Sequence, residues 1–147
     1  MLLPDVSVLV SAHREECDDH DKVKFWLEQQ LGAPGAYAVN DAILADFIRI
    51  VTSPRIFRTP STLDEAFAFA EAVRGRRNAI AVTPGRRHWR IFTSMSHEGD
   101  ARGNRAPLAW VAAMAVESKL TLVTLDRSVE RFQGLSWQTP FDSAARS

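Results

Sequence analysis

Apolar residues open the chain in a nearly unbroken run. Leu2, Leu3, Val6, Val8, Leu9 and Val10 fall within "LLPDVSVLVSA", and most are β-formers, so the pattern predicts a buried strand from Leu2 to about Val10. Asp5 interrupts it, early in that strand. A carboxylate withdrawn from water costs several kcal/mol unless something compensates it. The run therefore raises the question of what Asp5 meets inside the fold.

Beyond it the pattern alternates. A polar stretch with His13, Glu15, Glu16, Asp18 and Asp19 leads into a helical spacing through Val23, Trp26, Leu27 and Leu31, which Gly32, Pro34 and Gly35 stop. Tyr37 to Val39 reads as a short strand. Asn40 or Asp41 can cap the next helix, which carries Ile43, Leu44, Phe47, Ile48 and Val51 and ends before Pro54. Thr62 begins "TLDEAFAFAEAVRG", with Glu65 as the capping-box partner and Gly75 at its close. "AIAVTP" has the pattern of a short buried strand, and "GRRHWRIFTSMSHEG" that of an amphipathic helix. "RGNRAP" reads as a loop, "LAWVAAMAVES" as a small-residue helix able to pack closely on a sheet, "TLVTLD" as an apolar strand ending in an acid, and "GLSWQ" as an edge strand. Strands alternating with helices predict an α/β sandwich with a mostly parallel sheet. With no repeat, low-complexity tract or linker, residues 1–147 are expected to form a single domain.

Composition narrows this only slightly. Eighteen Lys and Arg balance eighteen Asp and Glu, so net charge identifies no partner and a nucleic-acid surface has to be a local patch. Cys17 is the only cysteine, which excludes an internal disulfide and suits a reducing compartment. No leader pattern opens the chain, and its first apolar run is far too short to span a bilayer. The expectation is a soluble cytoplasmic protein with no membrane contact.

Parallel α/β sheets place their sites beyond the carboxyl ends of the strands. Asp126, at the end of "TLVTLD", is positioned for that, although a strand-end aspartate is as often a turn or cap residue. Asp5 is harder to read as a cap because it is embedded in apolar sequence. Two strands each bringing an aspartate to one cleft make an oxygen-rich site suited to magnesium, manganese or calcium. Ser7 and Thr124 lie two residues from these acids and can hydrogen-bond to them. Asp46, in "ILADFIRIV", is a third candidate, and by position alone it reads better as a solvated helix residue paired with Arg49. His13, His20, His88 and His97 lack metal-ligand spacing and read as surface or packing residues. Cys17 is flanked by acids that raise its pKa, which argues against a nucleophile. Basic residues gather in "RGRRN" and "GRRHWR", with Arg102 and Arg105 further on. These can hold RNA phosphates while Trp89 or Trp110 stacks on a base, or they are solvated helix faces over buried aromatics.

Taken in order, "LLPDVSVLVSAHREECDDHDKVKFWLE", "ILADFIRIVTSPRIF", "AVTPGRRHWRIF" and "LVTLDRSVERFQGLSW" resemble successive segments of PIN-domain ribonucleases, specifically the VapC toxins of bacterial toxin–antitoxin pairs. The resemblance covers nearly the whole chain. It implies a PIN-like three-layer sandwich, a catalytic Mg²⁺ or Mn²⁺ with Asp5 as a direct ligand, Asp46 where the family usually has Glu, and Asp126 as a further acid of the site. It also implies a homodimer, a cognate VapB-type antitoxin and an RNA substrate. The departure lies in "GNRAPLAWVAAMA", where the family pattern carries an acid at the helix start and this chain has Leu108, a side chain unable to ligate a cation.

Two functions follow. One is the toxic component of a type II toxin–antitoxin system, a Mg²⁺-dependent endoribonuclease using Asp5, Asp46 and Asp126, with activity impaired by Leu108. The other is a catalytically degenerate PIN-fold module that binds antitoxin or RNA without cleaving it.

Overall fold

The computed structural model describes residues 1–143, 145 and 146. Its elements, in chain order, are β1 (Leu2–Pro4), α1 (Val6–His13), α2 (His20–Gly32), β2 (Tyr37–Val39), α3 (Asp41–Val51), α4 (Leu63–Arg74), β3 (Ala79–Ala81), α5 (His88–Glu98), α6 (Ala106–Glu117), β4 (Thr121–Val123) and β5 (Trp137–Gln138). Single 3₁₀ turns at Gly103–Arg105 and Arg127–Arg131 precede α6 and follow β4.

The five strands form one parallel sheet in the order β3-β2-β1-β4-β5. The chain steps from β1 outward to β2 and β3, then returns past β1 to lay down β4 and β5. Right-handed crossovers put α1 to α4 on one face of such a sheet and α5 and α6 on the other. The reversal opens a crevice between the carboxyl ends of β1 and β4.

The expected strand from Leu2 to Val10 is corrected. Only Leu2–Pro4 is extended, and Val6 begins a helix. The reason is burial: Val8, Leu9, Ser11 and Ala12 are buried, the other residues of α1 are half-buried, and none faces solvent freely. A helix covered on all sides has no polar stripe, so its 3.6-residue period does not show in the sequence. Its β-branched residues then read as a strand, and tertiary packing overrides that propensity. Asp5 takes the N-cap position in extended conformation, its carbonyl accepting from the Val8 and Leu9 N–H groups.

Other expectations hold with adjustments. Asn40, not Asp41, caps α3. The Thr62–Glu65 capping box closes both ways, and Gly75 ends α4. β3 is an edge strand with Ile80 and Ala81 exposed, where the sequence pattern predicted a buried one. β5 is the opposite edge, as expected. In α6, Ala109, Ala112, Ala113 and Ala115 are fully buried, and their small side chains let the helix approach the sheet. Pro107 sits in its first turn, where a missing N–H costs nothing.

Asn40 joins the two sides of the fold. Its Oδ1 accepts from the Ala42 and Ile43 N–H groups at 2.9 and 3.1 Å, and its Nδ2 donates to the Val82 carbonyl at 2.9 Å and reaches Met114 Sδ at 3.4 Å. One buried amide thus fixes the start of α3 against the exit of β3 and the core of α6. Asn40→Ala should lower stability by about 1–2 kcal/mol, and Asn40→Ser, which keeps a capping oxygen, by clearly less. Urea midpoints at unchanged m-value would show both.

Candidate functional site

Asp5 stands at the carboxyl end of β1, not within a strand, and its own N–H donates to the Val123 carbonyl of β4 at 2.9 Å. Its side chain is 3% exposed. A chain of hydroxyls surrounds it. Thr124 Oγ1 donates to Asp5 Oδ2 at 3.0 Å and lies 3.2 Å from Ser7 Oγ. Because the Thr124 proton is directed to the carboxylate, Ser7 is the donor in that second contact. Ser7 Oγ in turn accepts from the Leu125 N–H at 3.0 Å, and Thr124 Oγ1 accepts from the Asp126 N–H at 3.1 Å. Ser7 therefore supports Asp5 through Thr124, where the sequence suggested that it could bond an acid directly.

Burial pushes the Asp5 carboxyl up from 3.8 to about 6. The Val6 backbone N–H and the Thr124 hydroxyl pull it down, and the negative charges of Asp126 and Asp46 raise it further. Desolvation and like-charge repulsion together outweigh the hydrogen bonds.

Asp126 follows β4, across the crevice from Asp5. Its Oδ1 accepts from the Ser128 N–H at 3.0 Å and from Ser128 Oγ at 2.7 Å. The cap reading therefore holds for one of its oxygens. Ser128 had no role in the sequence reading, although the Asp-x-Ser spacing is that of an Asx turn. Asp46, on α3, is paired with Arg49 through Oδ1 at 2.7 Å. The pair is largely solvated and adds little stability.

These three aspartates line one cleft of ≈ 500 Å³, shared with Val6 and Ser7 of α1, Ile43 of α3, Phe92 of α5 and Pro107, Leu108 and Trp110 of α6. The N-terminal turns of α1 and α6 both border it, adding the partial positive charge of two helix ends. Leu108 lies where the resemblance put it, in the first turn of α6 on the cleft wall. Its neighbours make most of that wall apolar. Asn104 also lines the cleft, and nothing in the sequence pattern marked it beyond its place in the "RGNRAP" loop.

The donor set is carboxylate oxygen, which suits a hard divalent cation, and a buried carboxyl raised to about 6 is one that such a cation would relieve. The fit is partial. Among the described residues no three His, Cys, Asp or Glu side chains converge closely enough to hold one ion.

The remaining candidates separate. His88 is buried, with Nε2 2.9 Å from the Trp110 carbonyl, and His13 packs on Phe47 and Phe69, so both act in packing. Burial first, and Glu16 second, raise the Cys17 thiol. Arg76 and Arg77 precede β3 and so lie toward the amino ends of the strands, away from the cleft. Arg86, Arg87 and Arg90 lie at the entry and first turn of α5, the helix that brings Phe92 to the cleft. Trp110 lines the cleft, whereas Trp89 is 71% exposed and outside it.

A parallel sheet with this strand order, acids at its switch point and a helix bearing a third acid define the class. The PIN domain family model matches residues 2–135, and the chain belongs to that family. Ribonuclease VapC25 of Mycobacterium tuberculosis is 39% identical over 132 residues, 90% of this chain and 93% of the relative. Ribonuclease VapC43 of the same species is 36% identical over 97% of both chains. In fold, the chain is similar to VapBC2 from Rickettsia felis, solved bound to a DNA fragment from its promoter, with a TM-score of 0.67, 15% identity and coverage of 94% of this chain and 97% of that one. It is also similar to VapBC-1 from nontypeable Haemophilus influenzae, with a TM-score of 0.65, 16% identity and coverage of 96% and 98%.

Because the folded Asp5 value lies above the unfolded one, the native chain holds an extra proton between about pH 4 and 6. This group's contribution to stability falls as pH rises through that window and stays low above it. In EDTA, Asp5→Asn should therefore be more stable than the parent at pH 8, by up to about 2 kcal/mol, and the difference should shrink toward pH 4. Urea midpoints at the two pH values test the sign.

Proposed function

We propose that this protein is the toxin of a type II toxin–antitoxin pair, an endoribonuclease dependent on Mg²⁺ or Mn²⁺ that cuts RNA in the cleft between β1 and β4. The observation that carries this reading is the meeting of Asp5, Asp46 and Asp126 in one cleft of a chain that belongs to the PIN-domain family. Its relatives' names, Ribonuclease VapC25 and Ribonuclease VapC43, support the reaction class, and the VapBC neighbours support a VapB-type antitoxin.

In this reading Asp5 and Asp126 would hold the cation, with Asp46 contributing from α3. Held there, a divalent cation would supply positive charge beside a phosphate and would acidify a water. The rest is done by the chain. Thr124 keeps the Asp5 carboxylate in a single orientation, and Ser128 fixes one oxygen of Asp126. The helix N-termini of α1 and α6 favour the anionic phosphate. Arg86 and Arg90, exposed at the start of α5, draw in the RNA backbone. Action on RNA, together with the lack of any helix long and apolar enough to cross a membrane among the described residues, fits a cytoplasmic protein. A homodimer is also part of the proposal. Exposed Phe25 can contribute to such contacts, whereas Phe47 is fully buried and cannot.

A second reading, a binding module without catalysis, is favoured by one observation: Leu108 forms part of the cleft wall where an acid would complete the site. Cleavage assays separate the two. The purified chain should cut single-stranded RNA in Mg²⁺ or Mn²⁺, and EDTA should stop it. Asp5→Asn should lower the rate at least about a hundredfold with the fold retained, and equal rates in mutant and parent would remove Asp5 from the site. Leu108→Asp should raise both metal affinity and cleavage, at a modest cost in metal-free stability from renewed carboxylate repulsion. Calorimetric titration beside the cleavage assay reads both, and no change in either would place the function elsewhere. Co-expression with a small gene lying immediately upstream should give a stable complex.

A further inference from the structure

Each of the three cleft carboxylates already has one oxygen engaged by the chain: Asp5 Oδ2 by Thr124, Asp126 Oδ1 by Ser128 and Asp46 Oδ1 by Arg49. The acids share the cleft but do not converge as a three-ligand cage among the described residues. Leu108 and Pro107 fill the α6 side of the cleft with carbon. Hard divalent cations take about six oxygens and keep waters where protein ligands are lacking. The chain alone therefore offers such an ion too few charged oxygens for tight binding.

The same cleft is poorly disposed toward RNA alone. Of its acids only Asp46 has a cationic partner, Arg49, among the described residues, and that pair is largely solvated. Asp5 and Asp126 meet an entering phosphate with no cationic side chain paired to them among the described residues, and only the partial charges of the α1 and α6 helix ends offset their repulsion. No arginine lines the cleft itself. A cation lacks ligands without RNA, and an RNA phosphate meets repulsion without a cation. Each supplies what the other needs: a phosphate brings charged oxygens, and a cation brings the opposing charge.

Resting on the nuclease reading, we propose that Leu108 makes cation binding and RNA binding interdependent in this protein, so that the cleft loads with metal only together with an RNA phosphate. The coupling is a property of the wall residue. An acid at position 108 would let the cation bind ahead of RNA. Linkage requires that RNA tighten the cation by the same factor by which the cation tightens RNA. Leu108 thus acts as a specificity residue that ties occupancy of the centre to the presence of substrate.

The test reads binding, not turnover. Free Mn²⁺ is followed by electron paramagnetic resonance as it is titrated into the full chain, with and without a short single-stranded RNA of mixed sequence. RNA affinity is measured by fluorescence anisotropy with Mn²⁺ and with EDTA. In the parent, RNA should tighten Mn²⁺ by about tenfold or more, and Mn²⁺ should tighten RNA by an equal factor. In Leu108→Asp, Mn²⁺ should bind without RNA at least about tenfold more tightly than in the parent, and the coupling should fall below about threefold. Leu108→Asn, with a neutral oxygen, should give an intermediate coupling and serves if the aspartate variant does not fold. Equal Mn²⁺ affinity with and without RNA in the parent, alongside RNA cleavage, would overturn the coupling while leaving the nuclease reading intact. Undiminished coupling in a folded Leu108 variant would also overturn the role of that residue. Failure of the parent to bind RNA at any Mn²⁺ concentration would overturn both.

Discussion

The organising constraint is a carboxylate buried between two parallel strands. Asp5 leaves β1 at the point where its N–H is taken by β4, and it is buried but for a small exposure at the cleft. Thr124 and Ser7 answer that burial in part, and their hydroxyls join the start of α1 to the exit of β4. The compensation is incomplete, and Asp5 therefore keeps a proton to about pH 6. A protein core would not retain such a group for stability alone, because a hydrophobic residue of similar volume would serve better. The residue is more useful to the cleft than to the fold.

The rest of the site follows from topology. Reversal of the strand order opens the crevice between β1 and β4 and brings α6 back to face α1 and α3 across it. Asn40 fixes α3 against both β3 and α6, and so holds Asp46 on the same cleft as acids from β1 and β4. Catalytic geometry in such a site depends on rigid elements set by the sheet. Here the hydroxyl and amide contacts supply that rigidity, while the aspartates supply charge.

Leu108 changes the balance of this cleft. In the first turn of a helix an acid gains from the helix dipole, and a leucine does not. Its place on the wall leaves a cavity rich in carbon with three aspartates along it. The PIN fold is fully present, and in the proposed reading it is the hold on a cation that Leu108 weakens.

The sequence by itself determined the alternation of elements, the parallel sheet, the Thr62 capping box and the edge position of "GLSWQ". These depend on local spacing, caps and turns, which neighbouring residues decide. It also marked Leu108 as a departure, because an ordered series of short segments gave that position a meaning. Tertiary structure alone decided that Val6–His13 is a helix, because burial on every side erased the polar stripe that betrays one. It decided that "AIAVTP" lies at an edge, since nothing within a short strand states how many neighbours it has. And it decided that Asp46, paired with Arg49 as its local sequence suggested, also faces the cleft: an exposed ion pair is set by residues three apart, whereas a shared cavity is set by elements distant in the chain.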